Sequence, residues 1–138
     1  MAQLKIPARF MKVRYNGAAH PFASIAGLEA GANCQRFAFA LLEHFGFAIA
    51  PMRSSELWDD RSFTRRVKRM RPCDILMFNR EENAWGAHVA MYVGQGPYGT
   101  NTIIQAPETG ETVSYAPMYY LGLVGAGAPT ASNNSLAQ

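Results

Sequence analysis

Between Asn33 and Gly46 the apolar residues recur at helical period. Cys34, Phe37, Ala38, Leu41, Leu42 and Phe45 stand at i, i+3, i+4, i+7, i+8 and i+11, which predicts a helix with one apolar stripe. Asn33 is placed to cap it, because its side-chain oxygen can take one of the orphan N–H groups of the first turn. Gly46 is the residue that can turn left-handed and end it. Gln35, Arg36, Glu43 and His44 fall on the other side of the helix, and Cys34 lies in its first turn.

Downstream the period changes. Ser54–Asp60 and Thr64–Met70 read as one or two short helices, closed by Arg71-Pro72, since proline cannot continue a helix. Ile75–Phe78 is apolar on both faces, as a central strand would be. Residues 79–87 form a polar connection. His88–Val93 then alternates, with Val89, Met91 and Val93 on one face and His88, Ala90 and Tyr92 on the other, the period of a strand. Residues 94–102 read as a turn. Ile103–Ala106, Thr112–Tyr115 and Leu121–Val124 read as further short strands of an antiparallel meander. Helices first and strands second predict an α+β fold, N-terminal helices packed on a C-terminal antiparallel sheet. The expected domain is 1–124; the small, polar run 125–138 is expected to be a disordered tail.

Composition narrows this little. The chain has 138 residues, 49% hydrophobic and 17% charged, enough for one globular core and too apolar for general disorder. The apolar runs Phe37–Leu42 and Phe45–Met52 are far shorter than the roughly 18 to 20 residues of a membrane span. Lys5, Arg9, Lys12 and Arg14 are spread among apolar neighbours, which is not the layout of a secretory signal. A cytoplasmic protein is therefore expected, with any export by a separate dedicated route. Two cysteines, Cys34 and Cys73, are too few for a disulfide scaffold and are expected to be thiols. No Cys/His spacing suits zinc, and no metal or cofactor is expected. The charge is uneven: Arg61–Arg71 holds six of the thirteen basic residues and no acidic one, against a net +3, so the rest of the chain is net negative. Such a stripe suits an anionic partner, or is a solvated helical face.

The candidate chemistry begins with Cys34. At a helix start, unpaired N–H groups and the macrodipole favour a thiolate, and the same groups can hold the charge that develops on an attacked carbonyl. The position equally suits a buried core thiol. A nucleophilic cysteine needs a base. His20 lies in a loop, and His44 is about 15 Å along the same helix at ~1.5 Å per residue. His88, at a strand start, is the candidate. Gln105 interrupts the apolar run Ile103–Pro107 in a strand that can neighbour His88, where its amide can accept from the imidazole N–H. A polar strand edge and a solvent-facing glutamine are the plainer readings of these two.

In order, Asn33-Cys34-Gln35-Arg36-Phe37, then Arg71-Pro72-Cys73-Asp74-Ile75-Leu76-Met77-Phe78, then His88-Val89-Ala90-Met91-Tyr92-Val93-Gly94, then Ile103-Ile104-Gln105-Ala106-Pro107 resemble the motifs of the NlpC/P60 cysteine peptidases over roughly residues 12–124. The resemblance implies a papain-like α+β fold. Trp58 and Trp85, which flank the basic segment in sequence, are candidates to line a substrate groove. The resemblance implies Cys34 as nucleophile, His88 as base and Gln105 as the residue that orients the ring, with Tyr15 and Asn33 lining the substrate site. It also implies hydrolysis of an amide in bacterial cell-wall peptide, next to a γ-linked D-Glu. Asn33 stands where the family usually has Asp, Gln35-Arg36 where it has Ser-Gly, Cys73 where it has Gly, and Gln105 where it has His. The alternatives are an amidase or acyltransferase acting on a different amide, and a catalytically idle module that binds a partner through its groove or its basic segment.

Overall fold

Ile75–Phe78 is buried at all four positions, and the topology gives the reason. This strand, β2, lies inside a six-stranded antiparallel sheet with a neighbour on each edge, and an apolar cluster covers each of its two faces. The structure is a computed structural model in which residues 4–24, 27–79, 88–107, 111–119 and 122–130 are described. The elements in chain order are α1 (Ala8–Met11), α2 (Cys34–His44), α3 (Ser54–Asp59), β1 (Thr64–Val67), β2 (Ile75–Phe78), β3 (His88–Gly96), β4 (Gly99–Gln105), β5 (Ser114–Pro117) and β6 (Leu123–Pro129). The strand order is β1-β6-β2-β3-β4-β5. The fold is α+β, as the segregated pattern predicts. β2 to β5 follow one another as a meander, but the last strand expected in it does not join them: β6 crosses back to lie between β1 and β2.

Alternation along the strands splits the apolar residues into two cores. Ile75, Met77, Val89, Met91, Val93 and Ile104 pack with Phe37, Ala38, Leu41 and Leu42 of α2. Leu76, Phe78, Ala90, Ile103, Ala116, Met118 and Ala126 fill the opposite face. Phe37, Leu41 and Leu42 are wholly buried, which is how a short helix is held: packing of its stripe contributes more than its intrinsic propensity. The capping expectation holds. Asn33 is the N-cap, its Oδ1 accepting from the Arg36 N–H at 2.8 Å, and Gly46 has φ +93°.

Four expectations are corrected in detail. Thr64–Met70 is no helix: residues 64–67 are β1, an edge strand pairing Thr64 with Pro129 and Val67 with Ala126. Its start is set by Asp60, whose carboxylate accepts from the N–H groups of Phe63 and Thr64 and from the Thr64 hydroxyl. Residues 125–129 are not a disordered tail but most of β6, which lies between β1 and β2; residues 131–138 lie outside the described ones. Small residues there have a steric reason, since a Cβ on Gly125 would come within 2.9 Å of the Arg66 guanidinium and 3.0 Å of the Trp58 ring. Finally, Gln35 is buried rather than on a solvated side of α2, its amide donating to the Met52 carbonyl at 2.5 Å. The expected turn at 94–102 narrows as well, because β3 runs to Gly96 and β4 starts at Gly99. Among the described residues no helix is long and apolar enough to cross a membrane.

Candidate active site

The site lies where the N-terminus of α2 meets the first residues of β3. Asn33 sets where the helix begins, so Cys34 occupies its first position, partly open to solvent. The backbone N–H groups of Cys34 itself, of Gln35 and of Val89 on β3 lie near enough to favour a charge on its sulfur. Val89 is the tertiary neighbour among them, the residue that follows His88. The other two are the orphan donors every helix start carries.

The electrostatics run against a simple thiolate. Burial pushes the Cys34 pKa up, and the N–H groups of Val89, Gln35 and Cys34 oppose it without reversing it. The helix-start argument is thus right in sign but outweighed by desolvation. His88 moves the other way: burial lowers its pKa, and the hydrogen bond to Gln105 partly restores it. Both shifts favour neutral forms, so the resting state holds a thiol and an uncharged imidazole.

His88 Nε2 lies 2.6 Å from Gln105 Oε1. An amide oxygen only accepts, so the ring carries its proton on Nε2 and its lone pair on Nδ1. Gln105 is buried, at 4% exposure, so this partner is not one that water replaces at little cost. The Phe78 ring, paired across β2 and β3, lies 5.8 Å from the imidazole centroid and helps fix its plane.

Tyr15 is brought in by the chain before α2. It forms an isolated parallel bridge with Ala32, two residues ahead of Cys34, and the Asn16 N–H donates to the Ala32 carbonyl at 3.0 Å. Gly31, at φ +91°, makes that approach possible: a Cβ there would sit 2.5 Å from the Arg14 carbonyl oxygen. The phenol stands close enough to Cys34 for a thiolate charge to raise its pKa, after burial, which is the larger cause. The structure thus brings His88 and Gln105 together, sets Asn33 and Tyr15 next to Cys34, and links the two groups through the Val89 backbone. Trp85 lies outside the described residues. His20 is exposed in the loop that borders the cleft beside Asn33, and His44 is exposed at the far end of α2, its Nδ1 taken by Arg9.

Beside Cys34 opens a cleft of about 760 Å³, lined by Asn33, Gln35, His20, Phe22, Met52 and Arg53 among others. Sequence reasoning did not find Arg53, Met52 or Phe22, because a loop and the entry to α3 fold over the helix start only in the tertiary structure. Arg36 holds the loop in place, donating to the carbonyls of His20 and Gly27. Among the described residues no group of three or more His, Cys, Asp or Glu is arranged to hold a metal ion.

The protein is α+β, with a cysteine at a helix start near the Val89 backbone and a histidine–glutamine hydrogen bond one residue earlier on β3. No family model matches the sequence, and no curated protein matches it either. Among solved structures it is similar to Rv1477, a hypothetical invasion protein of Mycobacterium tuberculosis, with a TM-score of 0.57 and 18% identity. That similarity covers 94% of this chain and 57% of the other, so the chain spans little more than half of that protein. At this identity the likeness is one of fold.

Proposed function

We propose that the protein is a cysteine hydrolase of the papain-like, NlpC/P60 type, acting on an amide bond. The observation that carries the reading is the oriented imidazole: Gln105 holds His88 with Nδ1 as the basic nitrogen, one residue from the backbone N–H that meets the Cys34 sulfur. The ordered motifs at Cys34, Pro72, His88 and Gln105 support it further.

In the reaction, His88 Nδ1 takes the thiol proton as the Cys34 sulfur attacks the carbonyl carbon. Because thiol and imidazole both rest neutral, proton transfer accompanies attack instead of preceding it. Negative charge grows on the carbonyl oxygen, where the N–H groups at the start of α2 can stabilise it. The intermediate collapses with the His88 proton passing to the leaving amine, and a thioester remains. Water then attacks the thioester, giving its proton to His88; a carboxylic acid leaves and the thiol is restored. Gln105 positions the ring throughout. Tyr15 and Asn33 line the approach, and Trp85 is proposed to share that role.

The substrate proposed is bacterial cell-wall peptide next to a γ-linked D-Glu, which rests on that likeness. The test is digestion of purified cell-wall peptides, followed by mass spectrometry, with wild type and Cys34→Ala side by side. Cleavage by wild type alone is expected. Cleavage by both, or by neither, overturns the assignment of Cys34 to this substrate.

A further inference from the structure

Six basic residues stand between Arg61 and Arg71, and the fold divides them. Arg61 donates to the Trp58 and Asp60 carbonyls. Arg66 donates to the Trp58 carbonyl and stacks on the Trp58 ring at 4.0 Å. Those two serve the structure, although Arg66 also borders the cleft formed by the others. Arg65, Lys68, Arg69 and Arg71 are exposed and line one cleft of about 590 Å³, backed by Pro72, Cys73 and Phe47. Among the described residues none of the four is joined to a carboxylate by an ion pair.

One acid reaches this cleft. Asp74 is buried, at 4% exposure, and its Oδ2 accepts from the Arg71 N–H at 2.8 Å, closing the turn that leads into β2. It faces Arg71 and Arg65 as charges and so holds two of the cations near the cleft without neutralising four. Charges on an edge strand discourage pairing between molecules, which accounts for Arg65 on β1. It does not account for Lys68, Arg69 and Arg71, which follow the strand and surround the same space.

We propose that this cleft binds phosphate groups, at a site separate from Cys34. Guanidinium forks match phosphate oxygens in pairs, and a group of charge near −2 uses several cations where a carboxylate uses one. The place is remote from His88, which pairs with Phe78 at one end of β2. The cleft is at the other, where the Cys73 N–H donates to the Tyr92 carbonyl. Five residues at ~3.3 Å each separate the two by about 16 Å. A phosphorylated small molecule brings that charge on one group, and a phosphodiester chain brings single charges on successive phosphates; both offer anionic phosphate oxygens to the same cations.

The test is a titration of the whole ¹⁵N-labelled chain with pyrophosphate and, separately, with a fluorescein-labelled twelve-residue oligothymidylate. Saturable amide shifts confined to residues 65–74 are expected. The Lys68→Gln/Arg69→Gln double variant, with its fold checked by thermal melting, should bind at least about tenfold more weakly, one charged hydrogen bond lost being enough for that. Lys12→Gln, a basic residue elsewhere, should bind like wild type. Tight pyrophosphate binding that the oligomer does not exceed identifies a small phosphorylated ligand. Tighter oligomer binding, with a log–log salt slope of about −3 for four contacts, identifies a phosphodiester chain. Shifts spread over all basic residues without saturation, or a folded double variant that binds both probes like wild type, overturn the site.

Discussion

His88 Nε2 donates to Gln105 Oε1 across 2.6 Å, from the first residue of β3 to the last of β4. Register makes this possible: Met91 pairs with Ile104, so the start of one strand comes beside the end of the other. The bond selects one tautomer, and through it the nitrogen available for chemistry. A carboxylate at position 105 would also stabilise an imidazolium; the amide orients the ring without doing so.

That difference predicts the effect of Gln105→Glu. A nearby negative charge raises an imidazole pKa. In the wild type, burial holds the His88 pKa below 6.5, so the acid limb of kcat/KM should fall below pH 6.5. In Gln105→Glu it should move up toward neutrality. Gln105→Ala should lose rate with KM less affected. A limb that stays in place in Gln105→Glu would separate Gln105 from the base.

Thiol reactivity is the next expectation. Cys34 is partly open and met by three N–H groups. Cys73 is buried, and burial followed by the Asp74 charge pushes its pKa to about 11. Dilute iodoacetamide should therefore label Cys34 first, as read by peptide mass spectrometry. His88→Ala should slow that labelling by about 10²-fold, the low end of a general base's contribution. Equal, slow labelling of both thiols would point to the idle module.

Stability should register His88 as well. Its folded pKa is depressed below the unfolded 6.5, so between those values the unfolded chain binds more protons than the folded one. Stability contributed by His88 is then full above about pH 6.5 and falls as pH drops through that window. Asp74 has the opposite sign, its folded pKa being raised above 3.8 by burial. The difference between wild type and His88→Gln in urea melts isolates the histidine: it should shrink on acidification below pH 6.5. A constant difference would place the imidazole in solvent.

Cys73 adopts φ +81°, alone among the described non-glycine residues in being positive. A side chain there costs roughly 1–2 kcal/mol in backbone strain, set against the loss of a buried group. Cys73→Gly should thus melt within about 1 kcal/mol of wild type, and Cys73→Val well below it, because β-branching worsens the strain. Valine and glycine variants of equal melting temperature would remove strain from the account.

Asn33→Ala should cost about 1 kcal/mol, the usual weight of a lost N-cap. It should also fray the helix start that carries the thiol, lowering kcat more than a helix-stabilising change elsewhere would restore. Thermal melting and kinetics together check this.

Where one element's own period reveals its environment, the chain could be read directly. The α2 stripe, the Asn33 cap and Gly46 stop, and the doubly buried β2 all follow from local sequence, as did Cys34, His88 and Gln105 as candidates. Segments without a period were opaque. Thr64-Arg65-Arg66-Val67 carries charges that suit a helix as readily as an edge strand, and Gly125-Ala126-Gly127 has too little side chain to alternate. Each became a strand because the other supplies its hydrogen bonds, and the glycine at 125 leaves room for Trp58 and Arg66.

The site divides the same way. Residue identity and local spacing determined which groups could act as nucleophile, base and orienter, because capping and alternation are short-range effects. Only the tertiary structure decided that Tyr15 bridges to Ala32 beside the thiol. Packing likewise raised the cysteine and lowered the histidine, since desolvation depends on every element packed around a charge and not on the neighbours along the chain.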